Sequence, residues 1–417
     1  MNKNIVRRTA LVMAVALTGC ATTQPSTSTA AKPVSTSSQP VAAEQPIAPA
    51  QPAPPAQPAT APKPVKQTTA QRKAEEEAAR SKVLYQYRDA AKAMREGRYA
   101  DAKVTLDDAL LTIGNIFGKS KDAKRARGYF SPEAKKTFVG EPYERVMANY
   151  YRGILYWMDG EPDNARACFK TCQYEDSDAV DSTYKGDYVL ADYLDGLASV
   201  KLAADGADAL ARARASAKVS NSLPDYNAKA NVVVFWEAGT GPVKMATGKY
   251  HEELRFRNGH SDAVAVKITS GGQSVTAPFY DDLTFQATTR GGRIMDHVLA
   301  NKAVFKGTAN TVGNASLITG AALTQNRNTG EAGLALMAFG LFSKAVSSAT
   351  TPAADTRSWD NLPNLLGFAA LELPAGPQPV KVEFLDASGT VLSSKTKDLT
   401  ATVNSPDKDT VLFVSDR

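Results

Sequence analysis

Between Val83 and Ile113 apolar residues recur at every third or fourth position, and a single glycine interrupts them. Val83, Leu84, Tyr87, Ala91 and Met94 make one stripe, Gly97 ends it, and Tyr99, Ala102, Leu106, Ala109, Leu110 and Ile113 make a second. Such spacing puts each set on one face of a helix, so the stretch predicts two helices folded back on each other. After Pro224 the period changes. Asn231-Val-Val-Val-Phe-Trp236 is a β-branched and aromatic run of the kind that fills a buried strand. Further strands are expected at 253–257, 263–269, 274–277, 283–287, 369–373, 380–384, 391–395 and 410–414, with Asp386-Ala-Ser-Gly389 as a hairpin turn. Ile294 to Phe305 and the almost wholly apolar Ala332 to Phe342 read as a helical hairpin inserted at about 290–350. These two regimes predict an α+β chain, an all-α half of paired helices followed by a mainly-β sheet or sandwich.

The helical half carries a second, better-formed pair. Gly97, Ala102, Leu106 and Ala109, and then Gly153, Tyr156, Gly160, Ala165, Phe169 and Cys172, resemble the tetratricopeptide (TPR) repeat, in which small residues let paired helices approach closely. The two glycine turns lie more than one 34-residue period apart. An irregular helix is therefore expected over Ser131–Val139, started by Ser131 and Pro132. A third, degraded copy is expected from Tyr188 to Val219, with Leu190, Leu194, Leu197, Leu202 and Leu210 in its core. In the TPR repeat the first helix of each pair lines a concave face. The resemblance thus implies a partner groove formed by Leu84, Tyr87, Ala91, Met94, Met147, Tyr150, Ile154 and Trp157. An aromatic stripe at helical spacing is also what a plain core looks like, and both readings stand at this point.

The N-terminus predicts an address. Lys3, Arg7 and Arg8 precede an apolar run from Ala10 to Leu17, the charged and apolar parts of a secretory leader at 1–19. The run is too short to remain as a membrane span. Leu17-Thr-Gly-Cys20 resembles the lipobox of bacterial lipoproteins, which implies cleavage before Cys20 and acylation of its sulfur and new amine. More than one acyl chain makes a durable anchor. Ala21, not Asp, follows the cysteine, and this resembles the signal for sorting to the outer membrane in enteric-type bacteria. From Ala21 to about residue 70 the chain is Pro, Ala, Gln, Ser and Thr with almost no large apolar residue, a composition that cannot offset the entropy of ordering. As extended polyproline segments this tether reaches on the order of 100 Å. The expected organisation is leader 1–19, lipidated Cys20 and tether 20–70, helical domain 71–225 and α+β domain 230–417.

Composition narrows the partners. Without the leader, 46 Lys and Arg face 43 Asp and Glu, a balance that gives no reason to expect nucleic acid. Lys119, Lys121, Lys124, Arg125 and Arg127 form a basic cluster beside Tyr129 and Phe130, read as a solvated loop. Gly239-Thr-Gly241 to Gly248-Lys249 lacks the first glycine of a phosphate loop, since Val243 stands there, and Tyr250 replaces the Mg²⁺-ligating Ser or Thr. A turn after a strand fits better. His251, His260, His297, Cys168 and Cys172 lack the paired spacing of a structural zinc site. Asp176-Ser-Asp178-Ala-Val-Asp181 has Asp181 where a calcium loop needs glycine. No nucleophile elbow or dinucleotide fingerprint occurs. No metal, cofactor or catalytic residue is therefore expected.

Gly140-Glu-Pro-Tyr-Glu-Arg-Val-Met-Ala-Asn-Tyr-Tyr151 with its following repeat, Val232-Val-Val-Phe235 and Asp355-Thr-Arg-Ser-Trp359-Asp-Asn-Leu-Pro363 together resemble a little-characterised family of bacterial TPR-containing envelope lipoproteins. The resemblance implies address and architecture and carries no catalytic residue. The function it favours is a non-enzymatic outer-membrane lipoprotein, facing the periplasm, whose helical repeats hold an envelope protein partner. Two alternatives remain: a membrane-associated homo-oligomer assembled through 332–342, and an envelope hydrolase whose site is not visible in sequence.

Overall fold

A computed structural model describes residues 68–117, 136–177, 185–217, 223–249, 251, 253–289, 354–404 and 408–417. The leader, Cys20, residues 21–67 of the tether, the basic cluster 119–130, Asp178, Asp181, His297 and the insertion with its apolar stretch 332–342 lie outside the described residues, while residues 68–70, expected to end the tether, cap and begin a helix. Lys66–Arg417 forms one compact unit.

Its first half is helical: α1 (Thr69–Arg80), α2 (Lys82–Arg95), α3 (Tyr99–Phe117), α4 (Pro142–Asp159), α5 (Pro162–Asp176), α6 (Val189–Lys201) and α7 (Ala207–Ser216). The ends follow local chemistry. Thr68 and Gln71 form a capping box on α1, and Pro142 and Pro162 open α4 and α5 at the position where a missing N–H costs nothing. Gly160, at φ 82°, turns the chain out of α4 while Glu161 N–H donates to the Tyr156 carbonyl at 2.9 Å. Consecutive helices pack together, α2 on α3, α4 on α5, α5 on α6 and α6 on α7. Gly153 is needed in the second of these pairs: a Cβ there would lie 2.7 Å from the Phe169 ring. The irregular helix expected over 131–139 is not present in its described part, where 136–139 run without helical structure and Phe138 N–H donates to the Arg80 carbonyl.

The second half is built of strands β1 (Val232–Ala238), β2 (Val243–Thr247), β3 (Glu253–Arg257), β4 (Ala265–Ser270), β5 (Gln273–Pro278), β6 (Asp281–Asp282), β7 (Leu365–Leu371), β8 (Gly376–Leu385), β9 (Lys397–Val403) and β10 (Thr410–Ser415), with a short helix α8 (Leu283–Thr288). One sheet has the order β10-β1-β7-β6, the other β5-β4-β8-β9, and β2 and β3 form a separate ribbon. Pairing is antiparallel except between β1 and β10, where Val232 lies beside Thr410.

The layers follow from β1, which is buried along its whole length. Val233 and Phe235 join the helices in one core. Val232, Val234 and Trp236, on the opposite face, join Val266, Ile268, Val380, Val382 and Phe384 of the other sheet in a second core. A strand covered on both sides has no use for alternation, which is why this run is apolar throughout. The order is therefore helices, sheet, sheet. The expected boundary at 225–230 separates two kinds of secondary structure but not two cores, because the helical core includes Val233, Phe235, Trp359, Leu366, Phe368 and Phe413.

Two expected strands and one expected turn need correction. Residues 283–287 are helical: the Asp282 carboxylate accepts from the Thr284 and Phe285 amides, and Leu283, Gln286 and Ala287 are buried at helical spacing. Residues 393–395 form a 3₁₀ turn, and the strand begins at Lys397, where only Ala401 and Val403 are buried among polar neighbours. Val243–Thr247, expected within a turn, is strand β2.

Gly367 stands opposite Trp236, and a Cβ there would come 2.0 Å from the indole nitrogen. Gly367→Ala is expected to destabilise the fold by about 2 kcal/mol through overpacking, read as a lower urea midpoint at unchanged slope.

Candidate functional site

Of the eight residues expected to face a partner, Leu84, Tyr87, Met94, Met147, Tyr150, Ile154 and Trp157 come together on α2 and α4. None is more than 3 % exposed. The chain fills its own groove. Phe235 of β1 meets Tyr150 edge-on at 6.2 Å and Trp157 at 6.3 Å, Phe413 of β10 meets Tyr151 at 6.0 Å, and Trp359 stacks on Tyr87 at 4.4 Å. Ala91 is buried with them. These side chains are core, and the reading of them as a partner surface gives way to that.

The seam between helices and sheet is polar at a few chosen points. Glu237, at the end of β1 and 1 % exposed, receives Arg95 Nε of α2 at 2.5 Å and the Tyr151 hydroxyl of α4 at 2.5 Å. Glu144, fully buried on α4, accepts Lys244 Nζ of β2 at 2.5 Å, the Glu141 amide at 2.7 Å and the Trp359 amide at 2.7 Å. Asp281 caps α6 from outside, accepting the Val189 and Leu190 amides at 2.9 Å each. A carboxylate at that end also suits the helix dipole. Asp409, just before β10, accepts Trp157 Nε1 at 2.8 Å and Lys201 Nζ at 2.6 Å. Arg357 is gripped by both oxygens of Asp355 and donates to the Lys136 carbonyl at 3.0 Å.

The three stretches that carry the family resemblance thus meet one another. Residues 140–151 lead into and open α4, where Tyr150 meets the Phe235 ring of β1 and Glu144 accepts the Trp359 amide.

Burial raises the Tyr87, Tyr150 and Tyr151 hydroxyls well above the ordinary tyrosine range. The thiol of Cys168 is pushed up to about 11 by burial, and that of Cys172 is raised still more clearly for the same reason. Thiols shifted in that direction are not activated nucleophiles. Asp355 behaves differently. Burial pushes it up, but the Arg357 hydrogen bonds and charge outweigh that and hold it below the usual carboxylate value.

The other motifs resolve into structure. Gly241 lies against the Pro363 and Leu362 carbonyls, and Gly239 against His260 and Ser261, so these two glycines of the phosphate-loop-like stretch serve close packing. His251 and His260 are exposed. Asp176 is buried and accepts the Asp187 amide at 3.1 Å. Among the described residues no group of three His, Cys, Asp or Glu is placed to hold a metal, and no helix is long and apolar enough to cross a membrane. A cleft of about 690 Å³ lies between α3, α4 and α5, lined by Leu110, Ile113, Asn149 and Tyr174 beside the ion pair of the buried Arg145 with the partly buried Glu175. Tyr174 is 74 % exposed at its rim, and Leu111 of α3 is 66 % exposed.

Sequence reasoning missed Arg95, Glu144, Glu237, Lys244, Asp281 and Arg357. The available signal was a charge at the edge of an apolar run, as in Phe235-Trp236-Glu237. Comparison with family models, with curated proteins and with solved structures returns no match.

Glu237→Ala leaves the largely buried Arg95 without its carboxylate and is expected to cost about 3 kcal/mol, whereas Tyr151→Phe costs about 1 kcal/mol. Chemical denaturation checks both. For Asp355 the lowered folded value means that its stabilisation is complete above the ordinary value of about 3.9 and fades as pH falls through the lower one. Asp355→Asn is therefore expected to lower stability at neutral pH and to flatten the loss of stability below about pH 4.

Proposed function

We propose that the chain is a lipid-anchored protein of the bacterial cell envelope, acylated at Cys20 and held in the outer membrane facing the periplasm. Its folded body acts there as a scaffold for an envelope protein. The observation that carries this reading is Leu17-Thr-Gly-Cys20 closing a basic and apolar leader, ahead of a proline-rich tether. The packing of α2 on α3, α4 on α5 and α6 on α7 supports TPR-like pairs as the scaffold.

Because the inner face of these pairs is taken by β1, β10 and Trp359, recognition is assigned to the outer side. The cleft between α3, α4 and α5 offers apolar walls and an exposed tyrosine, a combination suited to anchoring one large apolar side chain of a partner segment.

Metabolic labelling with an alkyne fatty acid tests the anchor. Label is expected on the wild-type chain and absent from Cys20→Ser, which then accumulates as an uncleaved precursor. An unlabelled wild-type chain overturns the assignment. Tyr174→Ala, at an exposed position, is expected to leave thermal stability within about 0.5 kcal/mol. It is also expected to remove a specific partner from the set recovered by crosslinking in cells, and an unchanged set rejects the cleft.

A further inference from the structure

Strand β5 closes one side of the second sheet, and its outer edge has an unusual character. Gln273-Ser-Val-Thr-Ala-Pro278 contains no charge, and residues 273–276 are all exposed. Most sheet edges in soluble proteins are blunted by lysine, by a bulge or by a cover. Here Pro278 guards one end, and among the described residues no backbone partner pairs with the rest.

The geometry of the hairpin fixes which groups point outward. Gly271 and Gly272, both at positive φ, make a two-residue turn of the type that suits tight hairpins. Ser270 and Gln273, which flank that turn, then form a hydrogen-bonded pair, as do Ile268 with Val275 and Val266 with Ala277. The pairs between them turn their amides away from each other. Ser274 and Thr276 thus aim N–H and C=O at the free edge, and so does Pro278 with its carbonyl alone.

Side chains give a second constraint. Val275 lies opposite Ile268, on the face that carries Val266, Val382 and Phe384 into the core between the sheets. It is nevertheless 36 % exposed. The core face runs off the edge of the sheet at this residue.

We infer that β5 is a self-pairing edge, docking antiparallel against β5 of a second copy about a two-fold axis at Val275. In that register Ser274 faces Thr276 of the second copy and Thr276 faces its Ser274. All four outward N–H and C=O pairs are then satisfied, and Val275 packs on Val275. A one-residue slip would turn the outward groups away from each other, and a two-residue slip would leave fewer of them paired. The absence of charge removes the repulsion that a two-fold axis imposes on any charged edge, since it sets like beside like. A contact of five or six residues is far below the area of a permanent dimer, so the pairing is weak and reversible.

Disulfide trapping in membranes of cells producing the full chain tests this. The residue opposite Val275 occupies a non-hydrogen-bonded pair, where Cβ atoms lie closest, so Val275→Cys is expected to form an oxidised dimer. Its yield should exceed by about tenfold that of Ser274→Cys or Thr276→Cys, each of which faces the other residue and not itself. Adding Ser274→Pro removes an outward N–H that β4 does not use, and Thr276→Lys adds charge at the edge. Each is expected to return the yield to the level of the wild-type chain, with protease resistance reporting that the fold is kept.

Four results would overturn the inference. In one, Val275→Cys labels with maleimide yet stays monomeric. In another, it resists maleimide because the chain itself covers the edge. In the third, all three cysteines crosslink alike, as chance collision produces. Trapping onto a different protein would assign the edge to that partner and reject self-pairing.

Discussion

Glu237 cannot be buried alone. A carboxylate at 1 % exposure needs a cation and further hydrogen bonds, and here they come from two helices, Arg95 on α2 and Tyr151 on α4. Meeting that need fixes where both helices lie relative to the end of β1. The same logic repeats along the seam, with Glu144 joining α4 to β2 and to the Trp359 amide, Asp281 holding the start of α6, and Asp409 tying α4 and α6 to the approach of β10. Buried pairs of this kind add little net stability over apolar residues, and the free energy of the assembly comes from the two cores. What the polar contacts contribute is register. An apolar sheet face can slide on apolar helices at small cost, but a displaced Glu237 loses its partners outright.

Much of the architecture was legible in the sequence because periodicity is a local property. The helices from Val83 to Ile113 and from Met147 to Cys172 show it, and so does the doubly covered strand at 232–236. The failures were local conflicts that tertiary structure decided. Leu-Thr-Phe-Gln-Ala at 283–287 is rich in strand-favouring residues, yet Asp282 caps it as a helix. Lys397–Val403 is a strand whose polar residues hid it, since only one side of it is covered.

The polar seam was not legible at all. Nothing in the spacing of Arg95, Glu237 and Lys244 says that they will be buried, and each acquires its partner from far along the chain. The groove residues were correctly grouped and wrongly assigned an occupant. A sequence shows which helical face is apolar, and whether that face meets a partner or the chain's own sheet depends on the docking of residues more than eighty positions away, as for Tyr151 and Glu237. An apolar concavity in paired helices is a demand for cover, and this chain meets the demand internally.

The pairing of β1 with β7 and β10 has a kinetic side. Val232 finds its neighbours at Leu371 and Thr410, so the central sheet is assembled from segments separated by long intervening chain. Closure of such loops makes folding slow compared with helix formation. Until those late segments return, Tyr87 and Tyr151 lack the Trp359 and Phe413 rings that cover them. The emerging polypeptide therefore passes through an interval in which part of its aromatic surface awaits its own distal end.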